Sequence, residues 1–205
     1  YIMIGSLTHE DYLNLYKNKQ IKSEFFDYKQ IQPSSLDLSL SEECYEIKYS
    51  FLSPKSKVKD KLQHLIQKKI DLNNQFVFEV NKTYLVRLNE KLNLNRNIFG
   101  HCNPKSSTGR LDIFCRTVVD FSDEYEKIPK NYEGDIYLEV TSRSFNIKFE
   151  KGNKLNQLRL VFDNHNYIDD EELNTLNLND KLVFTENNED YIIDNGLKVS
   201  IDLSN

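Results

Sequence analysis

The chain has 205 residues, with 27 basic and 32 acidic side chains and a formal charge of −5. That balance argues against a nucleic-acid-binding domain, which ordinarily carries a basic excess. No apolar run approaches the ~20 residues of a membrane helix, and the length fits one domain with a short appendage.

In chain order, the first element reads as a helix. Thr8 is its cap, Asp11 follows at the capping-box position, and Tyr12, Leu13, Leu15 and Tyr16 form an apolar face. Gln32-Pro33-Ser34-Ser35 breaks the chain before Leu36-Asp37-Leu38-Ser39-Leu40, whose alternation predicts a strand. Pro54 opens a second predicted helix with Val58, Leu62, Leu65 and Ile66 on its packed side. From residue 75 onward short β runs dominate: 76–78, 84–86, 136–140, 145–147 and 158–162, separated by Asn, Gly, Lys or Pro. Three more apolar runs, 182–184, 191–193 and 199–201, predict strands near the end. The expected class is mainly β, a sandwich or barrel with two peripheral helices.

Composition sets how much each polar stretch can mean. Asn and Lys number 23 and 21 while alanine is absent, so Asn- and Lys-rich segments carry little information. Each of the six arginines is the stronger hint that a planar, two-point donor is needed. Cys44, Cys102 and Cys115 have no paired short spacing and read as reduced thiols of a cytoplasmic protein.

Three segments could carry chemistry. Asn103-Pro104-Lys105-Ser106-Ser107-Thr108-Gly109-Arg110 packs two cations, three hydroxyls and a glycine between apolar runs. It is either a polar turn or a cradle for phosphate oxygens, and it lacks the spacing of a P-loop. Tyr132 to Val140 alternates so that Ile136, Leu138 and Val140 face one way and Asp135, Tyr137 and Glu139 the other. Glu139 is then a solvated strand carboxylate or a general base. Gly152 to Leu158 is a turn feeding a strand, where Gln157 can offer its amide to a base, sugar or phosphate. Zinc-deaminase ligands are not in evidence, since His101-Cys102 is followed by Asn103-Pro104 and no Cys-x-x-Cys occurs.

The ordered set of Ile31 to Leu38, Lys105 to Arg110, Tyr132-Glu133-Gly134 with Glu139, and Gly152 to Leu158 resembles the dCTP deaminase branch of the dUTPase-like superfamily. It is most similar to a bacterial type whose longer chain carries two such modules. The resemblance covers residues 8 to 163 and implies a distorted β-barrel, or β-clip, over residues 1–165. Residues 166–205 are an extension in which Gly196 to Leu203 looks like the opening strand of a second module. It further implies zinc-independent hydrolysis of dCTP to dUTP and ammonia, supplying dUTP for thymidylate synthesis, with Mg²⁺ bound through the triphosphate and sites at the interfaces of a homotrimer or pseudo-trimer. Position by position, Lys105, Ser106, Ser107 and Arg110 match the phosphate- and water-positioning motif, Glu139 the general base and Gln157 a nucleotide contact. On this reading Arg110 lies beside Glu139 and keeps it ionised. A non-catalytic nucleotide-binding module that needs a partner, and a dUTP pyrophosphatase or bifunctional enzyme, remain as alternatives. The family's Ile-Asp pair before the Gly-containing turn is Ile128-Pro129 here, an insertion occupies Phe121 to Lys127, and Asp120 is the upstream carboxylate that could substitute.

Overall fold

Alternating apolar residues dominate residues 36–162, and they build a sheet. A computed structural model of the chain describes residues 5–95, 97–162, 168–183, 191–194 and 196–198. Contacts divide the chain into two units, residues 1–165 and 166–205.

The first unit opens with β1 (Gly5–Ser6), α1 (His9–Lys17), β2 (Ile21–Lys22) and a 3₁₀ turn (Tyr28–Gln30). There follow β3 (Leu36–Ile47), α2 (Val58–Leu62), β4 (Ile66–Asp71), β5 (Phe76–Phe78), β6 (Thr83–Asn93) and β7 (Ile98–Pro104). Then come α3 (Ser106–Arg110), β8 (Ile113–Val119), β9 (Lys127–Ile128), β10 (Glu133–Ser142), β11 (Ile147–Phe149) and β12 (Lys154–Phe162). Ten of these strands form one nearly closed, barrel-like sheet in the order β8-β10-β6-β3-β12-β7-β9, with β1 on β12, β2 on β6 and β4 on β3. The remaining two, β5 and β11, pair with each other. Long β3 holds the sheet together: Leu36 to Ser39 pair with β12, and Leu40 to Ile47 pair with β6 across an irregularity between Leu40 and Cys44. Such an irregularity bends a strand and lets one segment serve two parts of a curved sheet.

The expected first helix is α1, and its capping box forms: Asp11 Oδ2 accepts from Thr8 N at 2.8 Å and from Thr8 Oγ1 at 2.7 Å. Tyr12 is fully buried, and its hydroxyl donates to the Leu158 carbonyl and accepts from Leu160 N, which fixes α1 on β12. The second helix is shorter than its apolar spacing predicts. It ends at Leu62, and Ile66 already belongs to β4, so Leu65 packs from the connection. Two further helices were not expected: α3, inside the polar motif, and α4 (Asp170–Asp180) of the second unit, where Asp169 caps by accepting from Glu172 N. In that unit Ile193 and Leu197 form an isolated bridge rather than a strand, and Leu182 and Val183 are not in a strand. Phe184 and residues 199–203 lie outside the described residues.

The alternation in β3 and β10 is as read, but both faces of each strand are buried. Ile136, Leu138 and Val140 join the main apolar cluster with Leu36, Leu38 and Leu40. On the other face of β10, Tyr137 joins a second cluster with Phe51, Val58, Leu62, Leu65 and Val118. The polar residues between them are therefore enclosed rather than solvated, and each needs a partner.

The turn into β10 depends on Gly134. A Cβ there would lie 2.4 Å from the Tyr132 hydroxyl, which donates to the Asp135 carbonyl at 2.6 Å and accepts from Asp120 N at 3.1 Å. Gly134→Ala should displace Tyr132 and cost about 1–3 kcal/mol of stability, read as an earlier urea midpoint with an unchanged slope.

Candidate active site

Glu139 stands at the centre of β10 and is 2 % exposed. Its cross-strand neighbour on β8 is Arg116, which donates to Glu139 Oε1 twice, from Nε at 3.1 Å and from Nη2 at 2.6 Å. The same Nη2 donates to Ser50 Oγ at 3.0 Å. The guanidinium carbon lies 4.0 Å from the centroid of the Tyr125 ring and 5.1 Å from that of Phe114. Both donors thus converge on one carboxylate oxygen. The other, Oε2, is buried and has no hydrogen-bond partner. Glu139 and Arg116 line a cavity of about 560 Å³ that Phe114, Thr141 and Arg143 also border, with Gly109 of α3 at its rim. The volume falls in the range of small-molecule sites. The solvated carboxylate expected from alternation is instead an enclosed one, because the second apolar cluster covers that face.

The polar motif divides into an inner and an outer part. Thr108 is buried, and its hydroxyl donates to the Leu155 carbonyl at 3.0 Å, while Lys105 N donates to the same oxygen at 2.9 Å. These two bonds fasten α3 to β12 and leave Ser106, Ser107 and Arg110 exposed. Lys105 forms an ion pair with the buried carboxylate of Asp37 on β3. Gln157 sits on β12 between Asp37 on one neighbouring strand and Asn103 on the other, so Lys105, Asp37 and Gln157 gather where β3, β12 and β7 meet. Within one chain, however, Arg110 is not beside Glu139. Its Nε donates back to the Ser106 carbonyl at 3.3 Å, and the cation at Glu139 is Arg116. The ladder explains this, since Arg116 is directly opposite Glu139 in the β8–β10 register whereas Arg110 precedes β8 on a separate helix. Sequence reasoning passed over Arg116; its membership in the small set of arginines, at an apparently internal strand position, was the available signal. Among the described residues no three His, Cys, Asp or Glu side chains gather as a metal-ligand set.

The family profile described as the 2′-deoxycytidine 5′-triphosphate deaminase (DCD) N-terminal domain matches residues 3–164, and the chain belongs to that family. Among solved structures it is similar to the 2′-deoxycytidine 5′-triphosphate deaminase from Agrobacterium tumefaciens, with 37% identity and a TM-score of 0.78 over 87% of this chain. The match covers 54% of that protein, so the chain spans about half the length of this relative. The native EIAV dUTPase is a more distant neighbour, with 22% identity and a TM-score of 0.36 over 48% of this chain and 76% of that one. No curated protein sequence matches the chain significantly.

Asp120, the upstream carboxylate that could substitute for the family's missing Asp, sits at the start of α2. It is 7% exposed, and its Oδ1 accepts from Val58 N at 2.7 Å, the first residue of α2. Burial holds its carboxyl above the ordinary aspartate range, against the lowering effect of the Val58 N–H. A raised folded value means that Asp120 favours folding most when protonated. Its contribution is full below the unfolded value of about 3.9 and is lost as pH rises through the folded one. Asp120→Asn keeps an acceptor for Val58 and removes the titration. Its stability relative to the parent should therefore improve from about pH 4 upward and level off once the pH exceeds the folded value, measured by urea unfolding across that range.

Proposed function

We propose that this chain is a deaminase module that hydrolyses dCTP to dUTP and ammonia, with Glu139 as the general base. The observation that carries the proposal is the state of the Glu139 carboxylate: one oxygen is held by Arg116, the other is buried with no hydrogen-bond partner, and the residue lines a cavity of about 560 Å³. Membership in the deaminase family and the likeness to the Agrobacterium enzyme support it.

The chemistry follows from the groups present. Glu139 Oε2 takes a proton from a water as the water oxygen bonds to C4 of cytosine, and the proton passes to N3. Glu139 then carries the remaining proton of the C4 hydroxyl to the amino group, which leaves as ammonia as the C4 carbonyl of uracil forms. Atoms balance as dCTP plus water giving dUTP plus ammonia. A positioned carboxylate of this kind contributes on the order of 10²–10⁴ in rate, and preorganised donors around the water add to it.

Ser106, Ser107 and Arg110 face outward from α3, which suits a site completed at the contact with a second module or copy, as in a trimer or pseudo-trimer. Ser106 and Arg110 would there orient the water, and Lys105, Ser107 and Gln157 would hold the nucleotide. Lys105 must then exchange part of its bond to Asp37 for phosphate oxygens. Mg²⁺ enters on the triphosphate of the substrate and is not asked to bind a protein cluster. The product dUTP would serve thymidylate synthesis in the cytoplasm, without zinc.

A second reading is favoured by one fact, that the chain spans 54% of its relative: a module that binds dCTP but turns it over only with a partner module. Ammonia release by the parent chain alone separates the readings, and Glu139→Gln then tests the base. In the deaminase, ammonia release from Mg–dCTP should fall at least about 10²-fold with dCTP binding retained. A Gln variant that deaminates at the parental rate would remove Glu139 from the mechanism.

A further inference from the structure

Residues 121–127 interrupt the stretch in which the family's turn is expected, and they deliver one aromatic ring, Tyr125, to the active-site side of β10. The Tyr125 ring stacks on the Arg116 guanidinium at 4.0 Å, with Phe114 on β8 at 5.1 Å and Ser50, from the connection after β3, at the Nη2 end. Burial, followed by the nearby Glu139 charge, raises the Tyr125 hydroxyl pKa, so the ring packs close to the carboxylate in its neutral form. Arg116 is therefore restrained in its plane by a ring, at one end by a hydroxyl, and by its own strand.

The consequence lies in the way Arg116 meets Glu139. A free guanidinium prefers to engage both oxygens of a carboxylate in a parallel fork. Here Nε and Nη2 both fall on Oε1, and Oε2 is left with no donor. Stranding a buried carboxylate oxygen is costly, and it persists because Arg116 is held from sides other than Glu139.

We infer that Arg116, clamped by Tyr125 of the 121–127 insertion, is the positioning residue of this site, holding Oε1 so that Oε2 alone is presented to the attacking water. The inference rests on the deaminase reading of Glu139. Lysine at 116 would keep the charge but lose both the planar fork and the stack. Tyr125 acts only through Arg116, by its ring and not its hydroxyl.

Steady-state kinetics of the full chain with Mg–dCTP test this, alongside Glu139→Gln. Arg116→Ala should lower kcat about 10²-fold with KM changed less than about 3-fold, and added guanidinium should restore part of kcat where equal ammonium does not. Arg116→Lys should recover only a minor part. Tyr125→Leu should lower kcat about 10-fold, with recovery in Tyr125→Phe. A structural role alone would not produce guanidinium rescue in a folded variant. Parental kcat in Arg116→Ala, beside an inactive Glu139→Gln, would overturn the positioning role and leave the deaminase reading standing. If the parent releases no ammonia, the deaminase reading falls, and crystals of Arg116→Lys decide the geometry. Displacement of the Glu139 carboxylate would uphold the positioning, and an unmoved carboxylate with Oε2 still unpartnered would overturn it.

Discussion

The arrangement turns on a carboxylate placed where a strand is buried on both faces. β10 has the main apolar cluster behind Ile136, Leu138 and Val140 and a second cluster around Tyr137. A charge between two such layers is expensive unless it is paired. The β8–β10 register supplies the pair by setting Arg116 opposite Glu139. Much of the surrounding structure can be read as arranging that neighbourhood: α2 and Phe51 cover the face, Asp120 caps α2, and Tyr132 ties the Asp120 backbone to the turn that starts β10.

A second buried carboxylate shows how different the outcome is when both oxygens are engaged. Glu90 on β6 is fully buried, and it accepts from Gln30 Nε2, Ser39 N and Ser39 Oγ at 2.7–2.9 Å. Burial still raises its pKa, although these hydrogen bonds oppose the rise. Glu90 is a closed network that fastens the 3₁₀ turn to β3 and β6. Glu139 is an incomplete one, satisfied on one oxygen only, and it lines a cavity. That contrast between two buried carboxylates in one barrel is the physical ground for giving Glu139 the chemistry. Lys105 and Asp37 form a further compact pair, one that ties the start of α3 to β3 while Ser106, Ser107 and Arg110 stay on the outside.

Much of this was legible in the sequence. The period-two pattern of Leu36 to Leu40 and Ile136 to Val140 gave the core faces correctly, and Thr8 with Asp11 gave the start of α1. Alternation cannot say whether the opposite face meets water, because its cover comes from Phe51, Val58 and Leu62, some 75 to 90 positions away in the chain. That is why Glu139 reads as a polar-face residue and is enclosed. The Lys-Ser-Ser-Thr-Gly-Arg stretch drew attention to Arg110, while the arginine that touches Glu139 sits in an unremarkable strand, identified only once strand register is known. The α4 helix was missed although Asp169 and the acidic run Asp170-Glu171-Glu172 are good N-terminal signals, because the apolar runs around it suggested strands.

The most direct test of the account is chemical. The 205-residue chain would be incubated with Mg–dCTP in ¹⁸O-enriched water, with ammonia and the pyrimidine product followed together. The account predicts dUTP carrying one ¹⁸O at C4, formed in equal amount to ammonia. Recovery of unlabelled, unchanged dCTP from a folded chain that binds it would contradict it.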